Sequence, residues 1–205
     1  MSATKEKILD TALELFNEQG INAITVRHIA QSMGISHGNL QYHYANTDLI
    51  IQALYDRLAA RFDELLQAAP AQLSDELEAF RKGVEASYQL IYSFRFIFLY
   101  FVEIGRRLPA ITKHYKDNLK KRKPQFMQLF TIMQQKGIFR KDIPEEVLEL
   151  FIHQVFIVSD FWLSSNEITL QLSGKKALDY YNKIFWNMFY PYLTAKGLKQ
   201  LQDSQ

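Results

Sequence analysis

The side chains best suited to chemistry lie in a short segment near the amino terminus of this 205-residue chain. Amides such as those of Asn39 and Gln41 form paired hydrogen bonds with adenine in the DNA major groove, and a glycine such as Gly38 lets a backbone approach DNA closely. The alternative for each is a solvated helix face, and we favour base contact for Gln41. The segment offers six residues to the outside: His37, Gly38, Asn39, Gln41, Tyr42 and His43.

Two short helices must position this segment. Apolar residues before it repeat at helical spacing, and Thr25 stands where a hydroxyl caps a first turn, which predicts a helix from about Thr25 to Met33. Gly34 ends that helix, and Ser36 caps the next one, which ends at Tyr44. The sequence therefore predicts a helix-turn-helix whose second helix presents a polar face to a major groove.

Longer helices are predicted on both sides of this pair. Apolar spacing predicts one over residues 4–19, closed by Gly20, and another from an Asn46 cap to about Ala69, where Pro70 ends it. The predicted organisation is 1–47 for the helix-turn-helix domain, 48–69 for a connecting helix and 70–205 for a larger helical domain.

The rest of the chain also has helical patterns. Residues 94–100 alternate rings as a strand face would, but no partner strand is visible, so a buried helix is favoured. Pro124 predicts a kink or break. The predicted fold class is all-α, a three-helix amino-terminal domain plus a larger helical domain. The helices predicted beyond Pro70 cover 74–92, 94–107, 109–137, 144–165 and 174–196.

Composition excludes several classes of protein. The chain has no cysteine, which excludes disulfides, thiolate metal sites and cysteine nucleophiles, and its net charge of +2 alone indicates no partner. The amino terminus lacks an apolar signal core, and residues 88–102 are too short to span a bilayer, which needs about 20 apolar residues. We expect a cytoplasmic location, no membrane partner, no metal and no cofactor. His28, His37 and His43 are interpreted as surface or DNA-contacting residues.

Aromatic residues are dense from residue 80 to 101, and rings with a few polar groups line ligand pockets as well as cores. Core packing explains most of these rings, and a subset is expected to line a cavity. Three polar residues among apolar neighbours, Glu103, His153 and Asp160, are either hydrogen-bonded core residues, ligand-specificity groups or an acid/base set. The predicted ligand-binding residues are Tyr88, Tyr92, Phe98, Phe101, Glu103, Phe126, Phe130, His153, Phe156 and Asp160.

The last two predicted helices carry long apolar stripes. Two such helices from each of two chains form a four-helix interface, whereas the alternative is packing within one chain. Because the final helix is apolar on more than one face, we favour a dimer. The predicted interface residues are Phe151, Val158, Trp162, Tyr181, Phe185 and Met188.

The amino-terminal motifs combine in a fixed order. They are the run from Ile8 to Phe16, Gly20, Thr25-Val26-Arg27, Ile29-Ala30, Gly34-Ile35-Ser36, Gly38, Leu40, Tyr42-His43-Tyr44 and Asn46. This pattern, about a quarter of the chain, resembles the TetR/AcrR family of bacterial transcriptional regulators. The resemblance implies an all-helical homodimer whose amino-terminal domain binds an operator and whose body binds a small molecule. The resulting set of DNA contacts is Thr25, Arg27, Ser36, His37, Gly38, Asn39, Gln41, Tyr42, His43 and Thr47.

Three positions depart from the family pattern. His28 replaces an acidic residue that would complete a capping box with Thr25, Gln41 replaces an aromatic phosphate contact, and Thr47 replaces a phosphate-facing lysine. Residues 1–47 contain three basic and four acidic side chains, a net charge of −1 with neutral histidines. We therefore expect DNA binding that depends little on salt.

The sequence thus predicts a ligand-responsive homodimeric regulator, a repressor that binds a quasi-palindromic operator. Its partners would be double-stranded DNA, a second copy and an apolar or aromatic effector. The alternatives are a helical small-molecule-binding enzyme, for which no serine elbow, phosphate loop or metal spacing is present, and an adaptor that binds protein instead of DNA.

Overall fold

The computed structural model describes residues 3–67 and 76–203, and these residues form helices and no strand. They fall into two compact units, here called unit 1 (Met1–Asp63 and Ser93–Lys113) and unit 2 (Glu64–Tyr92 and His114–Gln205). The all-α fold class is confirmed. The predicted helix end near Ala69 and Pro70, and the predicted start at residue 74, lie outside the described residues.

Unit 1 begins with the predicted helices. They are α1 (Ala3–Gln19), α2 (Val26–Ser32), α3 (His37–His43) and the first part of α4 (Thr47–Gln67). The apolar stripes that predicted them are buried together: Ile8, Leu9, Phe16, Ile29, Leu40 and Leu54 have at most 1% of their surface exposed. Burial of these faces stabilises α2 and α3, which have 7 residues each and would be too short to persist alone.

Gly34 fixes the turn between α2 and α3. Its φ of +66° is in the left-handed region, which glycine enters at no steric cost. The Ile35 amide donates to the Ala30 carbonyl at 3.0 Å, and the Gly34 amide donates to the Gln31 carbonyl at 3.1 Å. This pair of bonds is a Schellman motif, so the entry of the chain into α3 is tightly specified.

The remainder of unit 1 comes from the middle of the chain. After α5 (Glu76–Ser93), the predicted helix 94–107 is two helices, α6 (Arg95–Leu99) and α7 (Phe101–Arg107), with a break at Tyr100, where φ is −107° and ψ is 21°. The single-helix prediction is wrong because apolar residues occur on all faces of this segment, so periodicity could not locate a break. The preference for helix over strand is confirmed.

The Asn17 side chain ties α1 to the start of α6. Its amide nitrogen donates to the Ser93 carbonyl at 2.8 Å, and its oxygen accepts from the Phe96 amide at 3.1 Å. The Phe16 and Phe96 rings pack beside it with centroids 5.2 Å apart. Through these contacts, residues 93–113 form part of unit 1 together with the amino-terminal helices.

Unit 2 contains most of α5 and of α8 (Pro109–Gln135), together with α9 (Glu145–Ile168), α10 (Gly174–Asn187) and α11 (Ala195–Asp203). The prediction at Pro124 was a kink or a break; helix α8 runs continuously through Pro124, so the break is wrong and the kink stays a prediction. A proline removes one backbone hydrogen bond, and the other turns of this long helix keep theirs. Gly137, with a φ of +70°, follows its end.

The last predicted helix, 174–196, is also divided. Helix α10 ends at Asn187, and Tyr190–Tyr192 form a 3-10 turn before α11. Pro191 has no amide to donate to the Asn187 carbonyl, which explains why the helix does not continue. The chain here bonds to the loop after α8 instead, since the Arg140 amide donates to the Tyr192 carbonyl at 2.9 Å.

Rings from α8, α9 and the segment that follows α10 fill the core of unit 2. Phe130 stacks on Phe151 with centroids 5.7 Å apart, and Phe151 meets Phe189 edge to face at 4.8 Å. By length and composition α9 could cross a bilayer, as the core helix of a water-soluble protein also could. One face of α9 packs against these rings, and about a third of its apolar stretch, 33%, is buried.

This core corrects the predicted dimer contacts. Four of the six side chains are at most 4% exposed within a single chain, so they have no surface left for a second copy. The prediction selected core side chains because both faces of α9 are apolar. The four are Phe151, Trp162, Tyr181 and Phe185.

Candidate nucleic-acid interface

Helix α3 presents the predicted polar face to solvent. Tyr42 is 87% exposed, whereas Leu40 and Tyr44 anchor the helix in the core at 0% and 7%. Ser36 caps the helix, because its hydroxyl accepts a hydrogen bond from the backbone amide of Asn39 at 3.2 Å. His43 is half-buried, and its other predicted neighbours on α3 are exposed: His37, Gly38, Asn39 and Gln41.

The start of α2 is a complete capping box. The Thr25 hydroxyl accepts from the His28 amide, and His28 Nδ1 accepts from the Thr25 amide, both at 3.3 Å. Nδ1 also lies 3.1 Å from the Ala23 carbonyl, so it accepts from Thr25 when the ring proton is on Nε2 and donates to Ala23 when the proton is on Nδ1. His28 therefore takes the position of the family's acidic residue without adding a negative charge. Arg27, beside it, is exposed.

The start of α4 is held by residues from two parts of the sequence. Asn46 caps it by accepting from the Leu49 amide at 3.0 Å, as predicted. Arg107 Nη2 donates to the Thr47 hydroxyl at 3.2 Å, and the guanidinium forms an ion pair with Asp48. Sequence reasoning missed Arg107, and no local signal could have found it, since it lies 60 residues away.

In unit 2, a second group of polar side chains meets among rings. The half-buried Asp160 accepts a hydrogen bond from the Tyr115 hydroxyl. Burial raises the pKa of Asp160 to about 6, although the bond from Tyr115 lowers it. Burial also raises the pKa of Tyr88, with Ser159 and Asp160 as its polar neighbours. Tyr115 and Ser159 were not predicted, because both are common on solvated helix faces.

The other predicted ligand-binding residues are not all in one unit. Phe98, Phe101 and Glu103 belong to unit 1, where the Glu103 carboxylate accepts from the Asn22 amide group at 3.4 Å. His153 is exposed on α9. The proposed acid/base set of Glu103, His153 and Asp160 is therefore not assembled within either unit.

The remaining predicted residues lie in unit 2. Phe130 is fully buried in the ring core, and Phe126 packs edge to face on Phe156 with centroids 5.5 Å apart. The Tyr92 hydroxyl accepts from the Gly174 amide at 2.7 Å. Residues 3–67 and 76–203 contain no group of three or more histidine or acidic residues placed to hold a metal ion.

Two family models match the chain. One, described as bacterial regulatory proteins of the tetR family, matches residues 8–54, and the other, TetR, described as a bacterial transcriptional repressor, matches residues 36–201. The second match covers most of the chain and includes both units.

Individual proteins agree with these models. The chain is 24% identical over 185 residues to the HTH-type transcriptional repressor KstR2 of Mycobacterium tuberculosis, which covers 87% of this chain and 90% of the relative. A TetR-family regulator from Marinobacter aquaeolei has a similar structure, with a TM-score of 0.86 at 24% identity over 100% of both chains. The structure of the ketosteroid transcriptional regulator KstR2 of Mycobacterium tuberculosis matches with a TM-score of 0.67 at 19% identity, over 95% and 97% of the two chains.

Proposed function

This chain belongs to the TetR family of bacterial transcriptional regulators, and we propose that it represses transcription by binding a quasi-palindromic operator as a homodimer. Ligand-responsive helix-turn-helix repressors, not enzymes, are the proteins to which it is similar. The observation that carries the proposal is the exposed, hydrogen-bonding face of α3 on a helix anchored by Leu40 and Tyr44.

We assign base recognition to two amides of α3. Asn39 and Gln41 are exposed, and a well-formed pair of bonds to adenine contributes about 1 to 3 kcal/mol of discrimination. Gly38, in the first turn, allows close approach of the backbone, and His37 contacts a base or the backbone. Phosphate contacts would come from the caps and their neighbours: Thr25, Arg27, Ser36, Tyr42, His43 and Thr47.

We infer that a second copy of the chain covers the exposed stripe of α9. Leu150, Ile157 and Phe161 are 57%, 60% and 40% exposed, and they recur at helical spacing on the side opposite the core. Of the predicted contacts, the half-buried Val158 and Met188 remain candidates. Pairing this apolar stripe would remove it from water and is the usual way in which homodimers form a helical interface.

We assign effector binding and dimerisation to residues 70–205, and DNA binding to residues 1–47. The effector is a small apolar or aromatic molecule, a proposal supported by the aromatic content of unit 2 and by a relative named for ketosteroids. Helix α4 begins next to α3 and continues into residues of unit 2, so a tilt of α4 would change the spacing of the two reading helices. That spacing is about 34 to 36 Å on an operator.

Coupling of this kind typically changes DNA affinity by about 1 to 3 kcal/mol. We further infer a cytoplasmic location, since the operator is in the cytoplasm of a bacterium, and we propose no membrane partner.

Selection from random-sequence DNA tests the function. We expect the full-length protein to enrich a shared palindrome with half-sites one helical turn apart. The Gln41→Ala variant should bind that site at least about 30-fold more weakly, because the dimer loses about 1 to 3 kcal/mol in each half-site. Gln128→Ala, an exposed glutamine on α8, is the matched control and should bind like the wild type. Failure to enrich any palindrome, or an unchanged preference in Gln41→Ala, would contradict the proposal.

A further inference from the structure

Asp160 is a carboxylate with no counter-ion among the described residues. It is half-buried on α9, it accepts a hydrogen bond from Tyr115, and no ion pair to it occurs among residues 3–67 and 76–203. By contrast, Glu149 on the same helix pairs with Lys123 Nζ at 3.0 Å. Charges removed from water normally have a partner of opposite sign, since an unpaired one is costly.

Two buried polar atoms of unit 2 are also unsatisfied, and one of them belongs to Tyr88, a neighbour of Asp160. The Tyr88 hydroxyl and Trp162 Nε1 have no hydrogen-bond partner among the described residues, although Tyr88 is 1% exposed and Trp162 is 2% exposed. Ser159 is beside the Tyr88 hydroxyl but does not form a hydrogen bond with it. Buried donors without acceptors are rare in native proteins and indicate a missing partner.

Stacked rings surround these atoms. The Trp162 ring lies nearly parallel to Tyr88 and Tyr92, with centroids 5.5 Å and 6.3 Å away and interplanar angles of 13° and 14°. Tyr181 packs against Trp162 at 5.0 Å. Because each of these rings covers the face of the next, they form an apolar wall, and the charge in this part of unit 2 comes from Asp160. A buried carboxylate favours a positively charged nitrogen over a neutral group of equal size.

We propose that Asp160, Tyr115 and Tyr88 form the polar end of the effector site, and that the effector is an aromatic or apolar molecule with a positively charged amine or ammonium group. This inference rests on the proposed function, since it assigns the chemistry of the effector. A carboxylate or phosphate ligand is disfavoured at this point, because it would be repelled by Asp160.

The protonation of Asp160 gives the site a pH signature. Burial raises the pKa of Asp160 to about 6, so the carboxylate is charged at pH 7 and loses its charge as the pH falls through 6. The groups that face it are Tyr115 from α8 and Tyr88 from α5, and burial raises the pKa of Tyr88, which stays neutral in this range. His153 on α9 itself and His114 on α8 are exposed. Cation affinity should therefore fall on acidification.

Two probes of the same shape separate charge from size: (4-hydroxyphenyl)trimethylammonium and its neutral isostere 4-tert-butylphenol. Calorimetry on the full-length protein at pH 7.5 should give at least about tenfold tighter binding of the ammonium probe. Asp160→Asn should reduce that ratio to near one, and Glu149→Gln, the matched control on the same helix, should leave it unchanged. The ammonium affinity should fall several-fold at pH 5, and the phenol affinity should not.

Equal affinity of the two probes for the wild type, binding of neither at millimolar concentration, or an unchanged ratio in Asp160→Asn would overturn the inference. Direct tests on DNA keep it separate from the proposed function. If the wild-type protein selects an operator but binds the two probes equally, only the proposed effector chemistry is wrong. If it selects no operator, the proposed function as a DNA-binding regulator is wrong.

Discussion

His28 shows how one residue can keep a cap and change its charge. Its Nδ1 accepts from the Thr25 amide at 3.3 Å, as a carboxylate would at this position. A neutral imidazole does this without placing a negative charge at the start of α2, where we propose that DNA phosphates approach. The substitution therefore favours phosphate binding while the helix remains capped.

Exchange of His28 separates these two effects. We expect the free energy of unfolding of His28→Glu to equal that of the wild type or to exceed it by up to about 1 kcal/mol. An acidic residue in a first helical turn interacts favourably with the helix dipole. The same variant should bind operator DNA several-fold more weakly, because its carboxylate repels phosphate. Urea unfolding and fluorescence anisotropy with labelled operator measure the two quantities.

His28→Ala is the control for the cap. It should lose about 0.5 to 1 kcal/mol of unfolding free energy, since one capping interaction is removed and no charge is added. Tighter DNA binding by His28→Glu would show that the start of α2 does not face phosphate.

Local residue roles were the most predictable part of the site. Thr25, Ser36 and Asn46 were predicted as caps and act as caps, because a cap depends only on residues within one turn of it. Arg107 was not predicted at the start of α4, because its contact with Thr47 depends on the folding of a distant segment. The acceptor role of His28 was missed for a different reason, since imidazole is less common than carboxylate at that position.

At the scale of elements, the positions of helices were predictable and their interruptions were not. Helices α1 to α4 begin within a residue or two of their predicted starts, because each has a clear amphipathic stripe and a cap or glycine at an end. The break at Tyr100 occurs in a segment that is apolar on all faces. Pro124 lies inside a helix, whereas Pro191 follows one, and sequence alone did not distinguish them.

Helix α9 illustrates a limit of the same kind. Its two apolar faces pack differently, one around Phe151 and Trp162 in the core and the other, around Ile157, exposed. A stripe of apolar residues predicts that a helix face is buried. It does not show whether the same chain or a second copy covers that face. The predicted dimer contacts therefore selected core residues, and the exposed stripe became apparent only from the structure.

The exposed stripe of α9 makes a testable prediction. Ile157→Asp should convert a dimer to a monomer, because a charge in the centre of a desolvated helix interface loses its hydration without gaining a partner. Val102→Asp is the matched control, since Val102 on α7 is 58% exposed and Ile157 is 60% exposed. Sedimentation velocity at micromolar concentration distinguishes the two forms. A wild-type monomer, or an Ile157→Asp variant that still dimerises, would rule out this interface.

At the scale of the whole molecule, positive charge near the DNA-binding residues is scarce. Arg57 binds both Glu6 and Asp10 at 2.6 Å, and Arg107 is paired with Asp48. Residues 1–47 carry a net charge of −1 with neutral histidines. Arg57 and Arg107 are therefore used within the protein, and recognition would depend largely on hydrogen bonds, helix amino termini and shape.

This distribution of charge predicts a shallow dependence of operator affinity on salt. Each phosphate neutralised by a side chain contributes about −0.9 to the slope of log K against log salt. With about two phosphate-facing cations from each chain of a dimer, we expect a slope between about −2 and −4. Titrations of operator DNA at several potassium chloride concentrations give the value directly.

Restoring the lysine that is common at position 47 should steepen this slope. Thr47→Lys places one further cation at the start of α4 in each chain, so the slope should become more negative by about 2 in the dimer. Gln128→Lys adds the same charge at an exposed position on α8 and should leave the slope nearly unchanged. A wild-type slope of about −6 or steeper would mean that charge pairing dominates, and that the polar face of α3 has a smaller role in affinity than its exposed amides indicate.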